Sequence, residues 1–401
     1  GDGWNTTAIN GTDVGKAVNV TADGVNISGF SIEGSGNVSW EVAMDLYHVQ
    51  NCTVSGNRFY NDYYYGIRLL GSDYNTVTGN VLFTKHTGVI LKSSHYNEVA
   101  GNDATGCGVG FNLIEQSSEN TVSGNNASYG EYCVRVTDQS SNNTVIDNTA
   151  FAYQNSGIVV SDAWSNDVIG NTMSGNQSGL FLSVGASDNT IEGNDFVDND
   201  YGILFWNSSY NSVIYNSLAY NNFGIWVYWY SSFNNITEND FVSNNIGIEC
   251  ENWSDDNRIY HNNFDSNNNH ALDWCTNTWN LSYPDGGNYW SGWTSPDSLK
   301  GPAQDQAGSD GIVDVQLNVS GGGNVDYYPF TTEDGWNGGA APPVPYSVYG
   351  EVLVPVGDPV AGANVTVWVH SDARNETSQP MYAVTDADGY FIVNIGNAKD
   401  S

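Results

Sequence analysis

The sequence predicts an all-β protein whose main part is a parallel β-helix, followed by a small antiparallel β-sandwich. Three observations lead to this prediction: asparagine is abundant, it recurs at a fixed interval, and short alternating strands fill the intervals. The chain of 401 residues contains 53 asparagines, of which 46 precede residue 289. Asparagine and glycine are disfavoured within helices and frequent in tight turns. The composition therefore indicates many turns and short strands.

An asparagine returns every 22 or 23 residues over most of the chain. A β-branched residue stands three positions before each one and an apolar residue two positions after, as Val54 and Phe59 do around Asn57. Because successive turns would stack at the strand spacing of about 4.8 Å, we expect internal ladders along ten or eleven turns. The predicted structural ladder is Asn57, Asn80, Asn102, Asn125, Asn148, Asn171, Asn194, Asn216, Asn239 and Asn262. A second ladder runs five positions earlier, from Asn75 to Asn257.

A Gly–apolar–x–apolar strand follows these asparagines, as in Gly179-Leu180-Phe181-Leu182. If both apolar residues point inward, residue x and the residue two positions later point outward. In the later turns this outward face is large and apolar, which is typical of an interface. Its predicted members are Val159, Phe181, Leu204, Trp206, Trp226, Tyr228, Leu272 and Trp274. Three occupants remain open: another subunit, the rest of this chain, or sugar rings.

The charge balance excludes several partners. With 45 acidic and 10 basic residues the formal net charge is −35, so the chain lacks the clustered cations that nucleic acids and anionic membranes require. No apolar run is long enough to span a membrane, and the first residues, without a leader, are expected to be a mature or trimmed start. Recurrent Asn-x-Ser/Thr sequons favour an exported glycoprotein. The candidate glycosylation sites are Asn5, Asn10, Asn19, Asn26, Asn37, Asn126, Asn207, Asn252 and Asn375.

The repeat and its closing segment resemble a known family. After the repeats come Gly287-Asn288-Tyr289-Trp290, Asp310-Gly311-Ile312-x-Asp314 and Asp326-Tyr327-Tyr328-Pro329. Residues 17 to 330 thereby resemble the NosD-like surface proteins of archaea, often described as periplasmic copper-binding. The resemblance implies a right-handed β-helix, a fold that hosts enzymes, adhesins and structural proteins alike.

The asparagine period ends before a linker rich in proline and glycine. We predict a β-helix over 1–280, its closing segment over 281–335, a linker over 336–346 and a β-sandwich over 347–401. The last part resembles a carboxypeptidase-regulatory-like module. It is short for a sandwich, so we expect the chain to continue past Ser401 or to borrow a strand from a neighbour.

Candidate chemical sites are sparse in the sequence. No carboxylate–cation cluster on adjacent turns stands out, and Glu249 and Glu251 share a turn without counterparts on the neighbouring turns; catalysis is therefore not expected. The six histidines fall at different phases of the repeat, which does not support copper. Where the NosD-like family carries a denser Asp-x-Asp-Gly run, Asp305, Asp310 and Asp314 are candidate calcium ligands or parts of a polar turn.

Cysteine spacing leaves one candidate bridge. Five cysteines occur without CxxC spacing, which argues against zinc and haem attachment. Cys250 and Cys275 are a candidate disulfide, whereas a free thiol in the core is the alternative for Cys250. No cofactor is expected apart from the candidate calcium.

Together these patterns predict a non-enzymatic, extracellular structural protein at the cell surface. It would associate as a homo-oligomer or polymer, in a layer, sheath or filament, through the outward face or the C-terminal module. The alternative is a secreted β-helix that binds or processes polysaccharide, with surface glycans as its partners.

Overall fold

The structure is a computed structural model that describes residues 7–11, 15–33, 41–60, 64–151 and 155–337. Beyond these it describes backbone segments at 347–351, 364–367, 370–371, 376–377, 381–384 and 390–394. The chain divides into two compact units, Gly1–Ala340 and Ala341–Ser401. The first unit is a right-handed parallel β-helix of about 12 turns, which confirms the predicted fold class. It has one or two turns more than the period suggested.

A sheet of thirteen parallel strands, called the long sheet, runs along one side of the β-helix. Its strands are Val18–Val20, Val42–Tyr47, Tyr65–Leu70, Thr87–Lys92, Val109–Ile114, Tyr132–Thr137, Ser156–Ser161, Ser178–Ser183, Tyr201–Trp206, Phe223–Tyr228, Ile246–Cys250, Asn269–Asp273 and Ser320–Gly321. Most span six residues, whereas strands in the other two sheets span two or three. The long sheet therefore offers the widest flat surface of the β-helix.

The second sheet has eleven strands and the third is divided into four and seven. The second consists of Asn26–Ser28, Thr53–Ser55, Thr76–Thr78, Glu98–Ala100, Thr121–Ser123, Thr144–Ile146, Asp167–Ile169, Thr190–Glu192, Ser212–Ile214, Asn235–Thr237 and Arg258–Tyr260. The third consists of Ala8–Asn10, Ser31–Glu33, Arg58–Tyr60 and Val81–Leu82, then Thr149–Phe151, Thr172–Ser174, Asp195–Val197, Ser217–Ala219, Asp240–Val242, Asn263–Asp265 and Tyr289–Trp290. Their inward residues, among them Val145 and Phe196, are fully buried.

Asparagine side chains join successive turns at two corners. The Asn148 amide nitrogen donates to Asn171 Oδ1, 3.0 Å away, and Asn148 Oδ1 accepts from the backbone N–H of Asn125. The same pattern links Asn120 to Asn143 in the second ladder. Each asparagine thus satisfies backbone groups that the sharp corners leave unpaired.

A third asparagine ladder, which we did not predict, stabilises the corner before the long sheet in the later turns. Its members are Asn176, Asn199, Asn221, Asn244 and Asn267, linked by amide-to-Oδ1 bonds of 2.9–3.1 Å. Each lies five positions after a member of the first ladder. This spacing was present in the sequence and would have revealed the ladder.

The closing segment supplies the last rungs. It comprises the strand pairs Leu299–Lys300 with Gln306–Ala307 and Leu317–Asn318 with Val325–Asp326, and a 3-10 turn at Gly335–Asn337. Asn288 Oδ1 accepts from the Asn262 N–H, and Asp326 in turn accepts from the Asn288 N–H at 2.8 Å. A carboxylate therefore ends the first asparagine ladder.

Asp326 makes the stability of this end depend on pH. Complete burial raises the pKa of its carboxyl from 3.8 to about 6, against hydrogen bonds from Trp290 and Asn288 that favour the ionised form. Since the folded state binds this proton more tightly, the Asp326 carboxyl should add about 2 kcal/mol to the free energy of unfolding as pH falls from 7 to 4. Urea unfolding at both pH values measures this rise. Asp326→Asn should lose that part of it, and an identical pH dependence in both proteins would contradict the assignment.

The second unit contains three antiparallel strand pairs within its described backbone. These are Ser347–Glu351 with Tyr390–Asn394, Asn364–Val367 with Met381–Val384, and His370–Ser371 with Glu376–Thr377. The predicted linker over 336–346 lies mostly outside the described residues.

Candidate functional site

The outward residues of the long sheet stack in register from turn to turn. One row runs through Val159, Phe181, Leu204, Trp226 and Glu249 to Leu272. A second row passes from Ser183 through Trp206 to Tyr228. Of the residues predicted to form an interface, Trp206 and Trp274 are 43% and 60% exposed, whereas Val159 is only 6% exposed. The others are half-buried.

Eight aromatic side chains form a continuous surface over the last third of the long sheet. We call this surface the aromatic face; it consists of Tyr201, Trp206, Phe223, Trp226, Tyr228, Trp229, Tyr230 and Trp253. Neighbouring ring centroids lie close together, at 5.2 Å for Tyr201 and Trp226 and 4.6 Å for Trp226 and Tyr228. The strand pattern in the sequence predicted three of these eight residues, Trp206, Trp226 and Tyr228.

The aromatic face extends around a corner where bulky residues are strained. Trp229, Tyr230 and Trp253 have φ of 54°, 58° and 61°, in the left-handed region. An earlier turn places Asp138 and Gln139 at the corresponding corner. Left-handed conformations cost an ordinary residue about 1–2 kcal/mol, and exposed rings recover little of this by burial. The left-handed backbone belongs to the corner geometry of the repeat, since the exposed rings of Tyr74 and Tyr96 in early turns have it too.

Two polar groups lie at the aromatic face: an indole N–H without a partner and a carboxylate close to a second carboxylate. The Trp226 indole N–H is buried without a hydrogen-bond partner among the described residues. On the next strand, burial and then the nearby Glu251 raise the pKa of Glu249, while a hydrogen bond from Trp274 lowers it. A ligand there would meet flat rings beside one donor and two carboxylates.

The first third of the long sheet carries an ion cluster that sequence analysis missed. Arg68 donates to both oxygens of the fully buried Asp45 at 2.8 and 2.9 Å, and Lys16 pairs with the same carboxylate. Burial raises the pKa of Asp45, but the hydrogen bonds from Arg68 and Lys16 outweigh it and lower the pKa overall. The three residues lie on adjacent turns, so the expectation that no carboxylate–cation cluster spans turns was wrong. The signal was the shared phase of Asp45 and Arg68, which are register partners on neighbouring strands.

The predicted calcium ligands do not converge. Asp314 accepts from the backbone N–H groups of Ser298 and Leu299, and Asp310 from those of Gly301 and Ile312. Asp305 is exposed. These carboxylates are used to fix a loop, and among the described residues no three His, Cys, Asp or Glu side chains are placed to hold a metal. The structure favours the polar-turn alternative.

The histidines are separated along the β-helix. His261 and His270 bond to the carbonyl oxygens of Asp285 and Ser291, and His86 bonds to Thr87. His370 lies where only backbone is described. Since copper requires imidazole or sulfur ligands that meet at one point, the described residues do not fit a copper centre.

The predicted Cys250–Cys275 disulfide is not formed. Both residues are free thiols. Cys250 is fully buried in the core, and burial raises its pKa well above the ordinary value. Its side chain faces inward from the end of the strand Ile246–Cys250. Cys275 lies two residues beyond the strand Asn269–Asp273 and is only partly buried.

The candidate glycosylation sites differ in exposure. Those that are exposed are Asn10, Asn19, Asn26 and Asn207. Asn126 and Asn252 are half-buried, while Asn5, Asn37 and Asn375 lie outside the described residues. Exposure at four sites is compatible with glycan attachment, which stays a prediction.

Fold and surface together define a parallel β-helix protein with an aromatic surface on its longest sheet. The family described as periplasmic copper-binding protein (NosD) matches residues 5–151 and 136–295, and the chain belongs to this family. The word periplasmic in this description places the family outside the cytoplasm. Of the described residues, none forms a helix long and apolar enough to cross a membrane. No curated protein matches the sequence.

Several solved structures are similar to the chain at low identity and with TM-scores below 0.5. The Dettilon tailspike protein gp208 has a TM-score of 0.47 and 14% identity, covering 95% of this chain and 72% of that one. The A-module of the Azotobacter vinelandii mannuronan C-5 epimerase AlgE4 has a TM-score of 0.46 and 13% identity, covering 71% and 91%. A GH87 α-1,3-glucanase catalytic domain has a TM-score of 0.44 and 15% identity, covering 71% and 59%.

Proposed function

We propose that this protein is an extracellular polysaccharide-binding β-helix of the cell surface, and that the aromatic face stacks against sugar rings. The observation that carries the proposal is the run of eight neighbouring rings on successive turns, with Trp206, Trp229, Tyr230 and Trp253 each at least 41% exposed. Aromatic rings bind the apolar faces of ligands through their flat π surfaces. Carboxylates and the Trp226 N–H would bond to sugar hydroxyls.

Charge favours a sugar over a second copy of the chain. Self-association through this face would bring together two molecules of formal net charge −35, with Glu249 and Glu251 close to the contact. Like charges at an interface oppose association. A polysaccharide whose bound sugars are uncharged avoids this repulsion and still covers the exposed rings. Assembly into a layer, sheath or filament remains the competing proposal.

Cleavage of the bound polysaccharide is a second candidate function. It rests on Glu249, the register partner of Trp226 on the long sheet, and on Glu251, whose nearby charge acts on Glu249. Burial and the neighbouring carboxylate raise the pKa of Glu249, as in a general acid that works beside an ionised partner. Release of reducing ends during the binding experiment below would support this function.

The test replaces the aromatic corner with the polar residue of an earlier turn. Trp229→Gln combined with Tyr230→Gln should weaken binding to neutral polysaccharides at least about 10-fold, because stacking surface is lost while a corner conformation used by Gln139 is kept. Affinity electrophoresis against a panel of neutral glucans, mannans and xylans measures the change. Tyr74→Gln with Tyr96→Gln is the matched control, since these exposed rings also stack, at 4.9 Å, but lie in early turns.

Two outcomes would count against the proposal. One is that the intact protein binds no neutral polysaccharide in the panel. The other is that analytical ultracentrifugation shows concentration-dependent assembly that the Trp229 and Tyr230 replacements abolish, which would assign the aromatic face to a second copy of the chain.

A further inference from the structure

Arg135 differs from two other cations of the long sheet because no carboxylate pairs with it in the described part of the chain. Arg68 pairs with Asp45, and Lys92 pairs with Glu115 at 2.7 Å. In a chain with 45 acidic and 10 basic residues, an unpaired, half-buried arginine is the least expected arrangement. Its guanidinium carries donors that fit carboxylates in a bidentate manner.

A second unpartnered group lies on the adjacent strand. Asn112 is the register neighbour of Arg135 and is only 6% exposed, although its row faces outward. Its Oδ1 atom is buried and accepts no hydrogen bond from any described residue. Burial of an amide oxygen without a donor is unfavourable and uncommon. A ligand that brings a hydroxyl group would satisfy it.

The column of residues before these strands contains a glycine. His86, Gly108 and Glu131 follow one another on successive turns, linked through neighbouring backbone groups: Val109 N–H donates to the His86 carbonyl and Glu131 N–H to the Gly108 carbonyl. A Cβ atom at Gly108 would lie 3.1 Å from the His86 carbonyl oxygen, so the two turns approach closely at this point. Gly108 stands directly before the strand that carries Asn112.

Aromatic rings pack against both Arg135 and His86. The guanidinium of Arg135 lies 5.2 Å from the centroid of the Tyr132 ring. On the other side, the His86 ring stacks on Tyr64 with centroids 4.2 Å apart. These contacts hold both polar side chains in place and leave their remaining donors for a ligand.

We propose that Arg135, Asn112 and His86 form a subsite for an acidic sugar, a uronate whose carboxylate binds Arg135. An adjacent sugar hydroxyl donates to Asn112 Oδ1. This subsite lies on the long sheet three strands before Tyr201, about 14 Å from the aromatic face at the usual strand spacing. It uses none of the aromatic-face residues and so stands independently of neutral-sugar binding.

The experiment measures binding of defined oligosaccharides by isothermal titration calorimetry. The probes are oligomers of galacturonate, glucuronate and mannuronate, with the methyl ester of the galacturonate oligomer as an uncharged match. We expect at least one uronate to bind, and expect Arg135→Gln to weaken it about 10- to 100-fold, as for lost hydrogen bonds to a charged group. Methyl esterification should weaken binding similarly, and Asn112→Leu should weaken it as well.

Arg258→Gln is the matched control. Arg258 also lies near a tyrosine ring, 5.4 Å from the Tyr260 centroid, but is exposed on the second sheet. Inorganic sulfate is titrated separately: binding of sulfate without binding of any uronate would show a general anion site instead. Equal losses in Arg135→Gln and Arg258→Gln, or no binding of any uronate, would also overturn the proposal.

Two further measurements distinguish the loss of this subsite from other causes of weaker binding. Circular dichroism melting of each variant checks that a loss of binding does not come from a loss of fold. Uronate binding is repeated on the Trp229→Gln, Tyr230→Gln protein, where it should be retained. If the intact protein binds uronates but no neutral polysaccharide, only the proposal for the aromatic face is contradicted. If uronate binding is lost in Arg135→Gln and retained in the Trp229→Gln, Tyr230→Gln protein, the acidic subsite is identified.

Discussion

Replacing Asn148 with alanine is expected to lower the free energy of unfolding by about 4 kcal/mol. The Asn148 side chain donates to the carbonyl oxygens of Val122 and Ile146 and to Asn171, and it accepts from the N–H groups of Asn125. Alanine would leave the buried Asn125 N–H without its acceptor and would remove the donor that this side chain supplies to the buried Val122 carbonyl. Each such group costs about 1–3 kcal/mol. Urea-induced unfolding followed by circular dichroism measures the loss.

The matched control is Asn245→Ala. Asn245 is also an asparagine stacked on its equivalents, bonded to Asn222 at 2.9 Å and to Asn268 at 3.3 Å, but it is exposed. Because water replaces exposed hydrogen bonds, we expect a change below about 0.5 kcal/mol. Similar losses in the two variants would show that stacking of amides, rather than satisfaction of buried backbone groups, stabilises the β-helix.

The repeat made the fold predictable. A period of 22 or 23 residues with one buried asparagine and two apolar positions can be satisfied only when equivalent residues stack. For this reason the phase of the core could be inferred from residues such as Val145 and Phe196 without any structure. The number of turns was underestimated because the first and last turns depart from the pattern. There Asp326 takes the place of an asparagine as the final acceptor.

Binding surfaces were harder to predict because they depend on departures from the repeat. The strand alternation identified Trp206, Trp226 and Tyr228 as outward residues. It could not identify Trp229 and Tyr230, since corners follow no alternation and their rings are placed by left-handed backbone. The proposed acidic-sugar subsite was equally hidden, because an arginine without a carboxylate partner is recognised only when its neighbours are known.

The early and late turns of the long sheet therefore have the same fold but carry different kinds of outward side chain. Cations are placed on the early turns, where Arg68 and Arg135 belong to one outward row. Aromatic rings occupy the same row and its neighbours on the later turns. A rigid scaffold with parallel, evenly spaced strands holds both at fixed separations, as preorganised binding requires. A linear polymer with neutral and acidic sugars is therefore the ligand that we propose for this surface.

Replacing Gly179 with alanine is the second change expected to have a large effect, a loss of about 3 kcal/mol through overpacking. A Cβ atom at this position would lie 2.5 Å from Phe196 Cδ1 and 2.7 Å from the carbonyl oxygen of Gly202. The backbone carbonyl cannot move without disturbing the next turn of the long sheet. Chemical unfolding of the purified variant measures the loss.

Cys133 provides the comparison within the same column. It occupies the position of Gly179 two turns earlier, as the register of the intervening strands shows, and it is fully buried. The large Phe196 that faces Gly179 corresponds there to the small Ala150, which leaves room for a side chain. Cys133→Ala should therefore cost less than about 1.5 kcal/mol. If Gly179→Ala were as mild, the glycine column would reflect turn geometry rather than the size of the facing core residue.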